Sequence, residues 1–473
     1  MLSRRTALLA LASSGWAAAP ARAEDAAGEP AAKAGDTVTT LRVQSYGIEV
    51  NRKPATVLGI FQPDGKAGIV TQVGRPFRVR VENRLDRPTL IHWHGLTPPW
   101  HQDGVPGISG PPIAPGATGE YDFPLRFGGT FWMHSHQGLQ EQELLAAPLI
   151  IHDGRDNPRE QEIVVQLADF SFEPPEQIFD NLRKRGSMAG MPAQAADQPG
   201  GMRAMAPKAQ AAPSGPATRG MATGAAAAPD LNDVTYDAFL ANLRTLDDPD
   251  IVRVEPGSSV LLRIINSSAM SAYHVDLGSL AGEVIAVDGF EVRPVSGRRF
   301  PLAVAQRLDI RVTIPRGAAA YPVLATLEGG RSRSGVILQS GSGAISRVPA
   351  AAAASSPALT LDFEEALRAA APLKPRKADR VHQLDLTGEM SGYVWSINGV
   401  AWTKDVPPLP VAEGERVELV FQNKTGMPHP MHLHGHEFQV VEIDGRRFAG
   451  AVRDTVLVTP GTKVVVAFDA NNP

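Results

Sequence analysis

Histidines recur in this chain at a spacing of two. His92 and His94 stand in "HWHG", His134 and His136 in "HSH", and His432 and His434 in "HPMHLHGH", which holds four histidines in eight residues. Residues two apart on an extended strand project to the same side, so each pair presents two imidazoles to one space. Three pairs offer six nitrogen donors. His429 lies three residues before His432, so on an extended segment it faces the other way and would serve a separate site. Imidazole suits copper, zinc, iron or nickel alike, and the chain has no cysteine, so ligand type alone does not choose the metal. Any one pair could be ordinary core or surface histidines.

The elements that must position these residues are repeated, which makes coincidence hard to sustain. "VGRPFRVRVENRLDRPTLIHWHG" runs from Val73 and "EGERVELVFQNKTGMPHPMHLHG" from Glu413, with Gly74, Asn83 and His92 spaced as Gly414, Asn423 and His432 are. A third copy, "PGSSVLLRIINSSAMSAYHVDLG" from Pro256, keeps the interval from Gly257 to Asn266 but has Val275 and Leu277 where the others have histidines. His274 is one residue out of that register and reads as structural. Each copy alternates in period two: Phe77, Val79, Val81; Val260, Leu262, Ile264; Val417, Leu419, Phe421. Such alternation indicates half-buried strands. Proline and glycine clusters punctuate the chain, and only 361–371 offers a competing amphipathic helix. An all-β chain of three tandem β-sandwiches follows. We expect domains at 36–156, 157–350 and 355–473, with the Ala/Ser run after Ala350 as a linker. Residues 186–229, rich in Ala, Gly and Pro, form an expected disordered insertion carrying Met188, Met191, Met202, Met205 and Met221.

A formal charge of −4 over 473 residues gives no basic field for nucleic acid or an anionic membrane, so neither is expected as a partner. The start, "MLSRRTALLALASSGWAAAPARAED", pairs Arg4 with Arg5 before a short apolar run and Ala21-Arg22-Ala23. It resembles a twin-arginine export signal at 1–23, which implies a periplasmic protein. Without cysteine, stability outside the cytosol rests on burial and sheet pairing rather than disulfides.

"HWHG", "HSH" and "HPMHLHG" in this order resemble three of the four copper-ligand motifs of the three-domain multicopper oxidases, the laccase and cuprous oxidase group. The resemblance covers essentially all of the chain after the leader. It implies cupredoxin-like Greek-key sandwiches and copper as cofactor. His92 and His432 would hold a type 2 copper, and His94, His134, His136 and His434 would belong to a type 3 pair. His429 would ligate a type 1 copper, where a reductant delivers electrons for the reduction of dioxygen to water. The cluster would sit between the first and third domains, with the middle domain as a spacer. Asp103 in "HQDGVPG" resembles the family's acid near the cluster, a proton source for oxygen reduction; it reads equally as a turn aspartate. Asp454 in "RDTV" resembles a loop near the type 1 site and reads as structural. His101, His152, His382 and His436 match no ligand position.

The fourth motif, His-Cys-His, is absent. Aligning Pro115-Gly116 with Pro460-Gly461 pairs Phe123 with Phe468, and the counterpart of His134 falls beyond Pro473. The expectation is a truncated oxidase, its third sandwich incomplete, inactive or nearly so by itself and acting as a monomer. The reductant would be a small molecule, either a phenol or aromatic amine, or Cu(I), for which flexible thioethers are suited. The rival reading is a periplasmic copper-binding or copper-resistance protein without turnover. A non-catalytic structural relative has no need of histidines in register, and a zinc hydrolase lacks a nearby base.

Overall fold

The computed structural model describes residues 38–155, 157–188, 231–389, 392–403 and 405–472. The leader lies outside these, as does the methionine-bearing insertion apart from its first residues. Nearly every described element is a strand, and the strands build three β-sandwiches in chain order.

The repeat is one structural unit used three times. Pro76–Asn83 runs parallel to Thr39–Val50 and antiparallel to Thr118–Pro124. Ser259–Asn266 has the same two neighbours, Gln161–Phe170 parallel and Arg307–Thr313 antiparallel. So does Arg416–Asn423, between Arg380–Glu389 and Lys463–Asp469. Alternate residues bury Phe77, Val79 and Val81 in the first unit and Val417, Leu419 and Phe421 in the third. In the middle unit the strand is buried on both faces, because Arg263 on its outer side bonds Thr130 Oγ1 of the first sandwich at 3.0 Å.

The asparagine closing each copy does the same work each time. Asn83 Nδ2 donates to the carbonyls of Arg87 and Ile113, both at 2.9 Å, and Asn423 Nδ2 to those of Met427 at 2.7 Å and Val458 at 2.9 Å. Asn266 Nδ2 reaches Ser271 O at 2.9 Å and Ala303 O at 3.0 Å. Each ties down the loop that delivers the next strand, and two of those strands carry candidate metal-ligating histidines. A buried amide satisfied this way holds a loop more firmly than an exposed one, since unsatisfied partners are costly.

Two helical expectations change. Only Asp362–Ala366 of 361–371 is helical; the chain then straightens, and Glu364 is drawn inward to pair with Arg453. A 14-residue helix, Pro175–Met188, was not anticipated. Over 175–184 it is exposed or half-buried with no buried residue, so that part lacks the broad apolar stripe that periodicity detects; Pro175 at its first turn was the available signal. This helix extends to Met188, into the stretch expected to be disordered. The run expected as a linker is pinned: Ala350 O accepts from Arg333 N at 2.8 Å, and Ser356 N donates to Gly330 O at 2.8 Å.

Candidate metal centre

Sheet register sets the first two histidine pairs side by side. Ile91–His94 pairs antiparallel with Gly129–Ser135, placing His92 opposite His134; opposed residues on neighbouring strands share a face. His136 lies one residue past the strand end, its N–H bonded to Leu90 O at 3.0 Å. In the third sandwich His429–His432 pairs with Thr455–Val458, His432 opposite Thr455, and His434 follows on the turn.

The two sandwiches bring these rings face to face. His94 stacks on His432 with centroids 3.8 Å apart, and His92 and His434 lie 4.1 Å apart. His136 and His434 are separated by 5.1 Å. Candidate donor atoms fall within 4.8 Å of one another in three groups: His92, His136 and His434; His92, His94 and His134; and His94, His432 and Asp454. Six of the seven histidines singled out from the sequence therefore meet in one place.

The partner on one ring nitrogen decides what the other can do. His92 Nδ1 lies 2.7 Å from Asp103 O, and His432 Nδ1 lies 2.9 Å from Asp454 O. A carbonyl only accepts, so Nδ1 carries the proton and Nε2 keeps a lone pair. Both Nε2 atoms are buried without a hydrogen-bond partner. Such orphaned acceptors are costly unless something binds them. His434 Nδ1 reaches Asp103 Oδ2 at 2.9 Å. His94 is turned the other way, with Nε2 at 3.2 Å from Asp454 Oδ1 and Nδ1 at 3.4 Å from His134 Nε2. The donor set, six imidazoles of which five have a carbonyl or carboxylate behind them, fits copper.

Electrostatics keep those lone pairs free. Burial lowers the pKa values of His92, His94, His432 and His434, and pushes His136 down to about 2. The carboxyls behind them behave oppositely. Burial disfavours the Asp103 anion, but the His92 and His434 imidazoles hold its carboxyl well below the usual carboxylate range. Burial likewise opposes the Asp454 charge, and the Arg307 guanidinium overcomes it.

Asp103 lies at the cluster, 4% exposed, with Oδ1 buried and accepting no hydrogen bond. Two expectations need correction. Asp454 does not stand by a separate mononuclear site; it is buried against His94 and His432. The middle sandwich is more than a spacer, because its Arg307 grips Asp454 at 2.9 Å and its Gln306 Nε2 bonds Thr455 O at 3.2 Å. Asp288 adds a bond from Arg453 Nε at 2.9 Å. Gly95 of "HWHG" has φ +88, and a Cβ there would sit 2.5 Å from Asp454 Oδ2 and 2.6 Å from Arg307 Nη2. Glycine is what lets this ion pair press against the turn behind His94. Only that glycine hinted at the crowding.

His429 stands apart. Its Nε2 lies 2.6 Å from Thr425 Oγ1 and its ring is edge-on to Trp395 with centroids 5.4 Å apart. It lines a cavity of about 160 Å³ with Met270, Met427, Tyr393, Trp395 and Glu328. Burial lowers its pKa as well. The remaining histidines bond elsewhere: His152 to Glu162, His274 to Pro357 O and His382 to Pro410 O. His101 is exposed. His436 is half-buried beside Phe468, with its Nε2 unpartnered.

Comparison with known proteins agrees with this geometry. Three family models described as multicopper oxidase match residues 49–156, 214–343 and 375–473. The multicopper oxidase MmcO of Mycobacterium tuberculosis is 30% identical over 97% of this chain and 86% of its own length. A copper resistance protein A homolog of Pseudomonas syringae pv. tomato is 28% identical, covering 82% of this chain and 80% of that protein. Among solved structures, Fet3p, a multicopper oxidase that functions in iron import, superposes with a TM-score of 0.73 at 18% identity, covering 92% of this chain and 86% of that one.

Proposed function

Since the chain belongs to the multicopper oxidase family, we propose that His92, His94, His134, His136, His432 and His434 hold its oxygen-reducing copper cluster, and that His429 marks a separate copper site facing the reductant. Enzymes of this kind couple one-electron oxidation of a reductant to the four-electron reduction of dioxygen to water, and copper is the cofactor. The observation that carries the assignment is the pair of buried, unpartnered Nε2 atoms on His92 and His432, one from each sandwich.

Bound copper supplies the electron transfer and oxygen reduction that no side chain here can carry. The residues supply the rest. Backbone carbonyls and carboxylates orient the rings of His92, His94, His134, His432 and His434. Asp103 is assigned a place in proton handling: it touches both His92 and His434, and as a carboxylate held ionised its buried Oδ1 can accept a hydrogen bond from the group that delivers a proton where oxygen is reduced. A blue type 1 site needs a thiolate, and these 473 residues contain no cysteine. The six-histidine cluster is the part of the machinery they carry.

The cavity beside His429 supports two reductant classes. Cu(I) fits the thioethers of Met270 and Met427, and a phenol or aromatic amine fits the rings of Trp395 and Tyr393. Export to the periplasm is supported by the twin-arginine-like leader, and among the described residues no helix is long and apolar enough to cross a membrane. A monomer suffices, because one chain contributes both halves of the cluster.

The test is to load the protein with copper, reduce it with dithionite, remove the reductant and follow oxygen uptake. We expect a single burst of uptake by the pre-reduced parent, loss of copper and uptake together in His92→Ala, and no sustained turnover with Cu(I) or a phenol, because these residues supply no type 1 thiolate. Copper bound by the histidines without any oxygen consumed would instead make these residues a copper-binding protein.

A further inference from the structure

The middle sandwich contributes no histidine to the cluster, yet its Arg307 is fully buried where all three sandwiches meet. All five guanidinium N–H groups are used. Nη1 donates to Asp454 Oδ1 at 2.9 Å and Ala305 O at 3.0 Å, Nη2 to Asp454 Oδ2 and to Asp288 O at 2.9 Å, and Nε to Thr130 O at 3.1 Å. Thr130 belongs to the strand that carries His134, and the guanidinium carbon lies 5.7 Å from the ring centre of Phe131, the next residue. The fork therefore links the first sandwich to a carboxylate of the third.

What the fork does to Asp454 matters for the cluster. Asp454 Oδ1 also accepts from Thr455 Oγ1 at 2.8 Å and lies 3.2 Å from His94 Nε2. A carboxylate held at both oxygens by a planar fork has one orientation. With Oδ1 aimed at His94 Nε2, that nitrogen carries the proton, and Nδ1 is left to face His134 and the cluster. The main-chain carbonyl of the same residue sets His432 in the opposite tautomer.

We propose, resting on the copper reading of the cluster, that Arg307 is a positioning residue: by gripping Asp454 in a bidentate pair it fixes the tautomer and ring orientation of His94 and so sets the copper affinity of the site. Lysine can supply the charge at this position but cannot reproduce the fork.

The experiment compares the parent with Arg307→Lys and with Arg263→Lys. Arg263 is another buried arginine crossing between the first and middle sandwiches, bonded to Thr130, Asp309 and Glu162. Copper affinity is read by chelator competition, the Cu(II) environment by electron paramagnetic resonance, and the metal-free His94 tautomer by NMR after histidine-selective 15N labelling. Arg307→Lys is expected to weaken copper binding about 10- to 100-fold, to change the Cu(II) spectrum and to mix the His94 tautomers, while Arg263→Lys binds copper as the parent does. Unchanged affinity and spectrum in Arg307→Lys would overturn the proposal, as would an equal loss in Arg263→Lys, which would trace the effect to the seam as a whole. Should Arg307→Lys not fold, Asp454→Asn carries the same test, since it keeps size and an acceptor oxygen but loses the charged pairing; parent-like binding there also overturns it. A parent that binds no copper at all would sink the cluster assignment itself, a result distinct from any difference between variants.

Discussion

Asp103 and His434 stand 331 positions apart in sequence, yet Asp103 Oδ2 accepts from His434 Nδ1 at 2.9 Å across the seam between the first and third sandwiches. The same residue also holds His92, through its main-chain carbonyl at 2.7 Å from His92 Nδ1, so Asp103 orients one imidazole from each side. Asp103→Ala frees the His434 ring, while the main-chain carbonyl at position 103 still holds His92 Nδ1. We expect copper affinity to fall about 10- to 100-fold, measured by chelator competition, with the unfolding midpoint of the metal-free protein changing little by comparison.

Gly95 carries two constraints at once, a φ of +88 and a Cβ position 2.5 Å from Asp454 Oδ2. Gly74, with φ +86, has nothing within 4 Å of its Cβ position. Gly74→Ala should cost only the left-handed backbone penalty, about 1–2 kcal/mol. Gly95→Ala should cost about 1–3 kcal/mol more through overpacking. Urea unfolding of the two variants measures the difference, and equal costs would show that the ion pair behind His94 can yield.

Ala305 occupies the turn where the other two repeats have glycine: its φ is +66, against +72 at Gly116 and +76 at Gly461. The non-glycine residue is strained there, and glycine gives back part of the gain as chain entropy. Ala305→Gly is expected to stabilise the protein by about 0.5–1 kcal/mol, read as a higher urea midpoint with an unchanged slope.

Five cluster histidines, His92, His94, His136, His432 and His434, have pKa values lowered by burial. In the unfolded chain they titrate near 6.5 (about 6.5 for free histidine). Below that pH the unfolded state binds protons that the folded state refuses, so stability falls as pH falls from about 6.5 toward the lowered folded values. Each fully neutral histidine contributes a slope of up to about 1.4 kcal/mol per pH unit. Copper-free protein should therefore lose stability between pH 7.5 and 5, His136→Gln should flatten the dependence, and bound copper should oppose the loss. A urea midpoint for the metal-free protein that does not move over this range would contradict the burial of the cluster.

Much of the architecture was legible before any coordinates. A side chain's direction on a strand follows from the period of two, so three histidine pairs and the opposed His429 could be read locally. The spacing from glycine to asparagine marked the repeated strand, and the three asparagines make closely similar bonds in the three sandwiches. The helix Pro175–Met188 escaped because residues 175–184 bury too little to leave a periodic stripe.

Local spacing therefore determined which residues point together, the all-β repeat and the candidate donors, because strand geometry operates over two or three residues. Only the tertiary structure decided which nitrogen of each histidine is free, that Asp454 belongs to the cluster, and that the middle sandwich reaches it through Arg307. Those facts depend on groups 11 to 360 positions apart, brought together by loop folding and by the packing of three sandwiches, and no periodicity along the chain records what lies across a buried turn or seam.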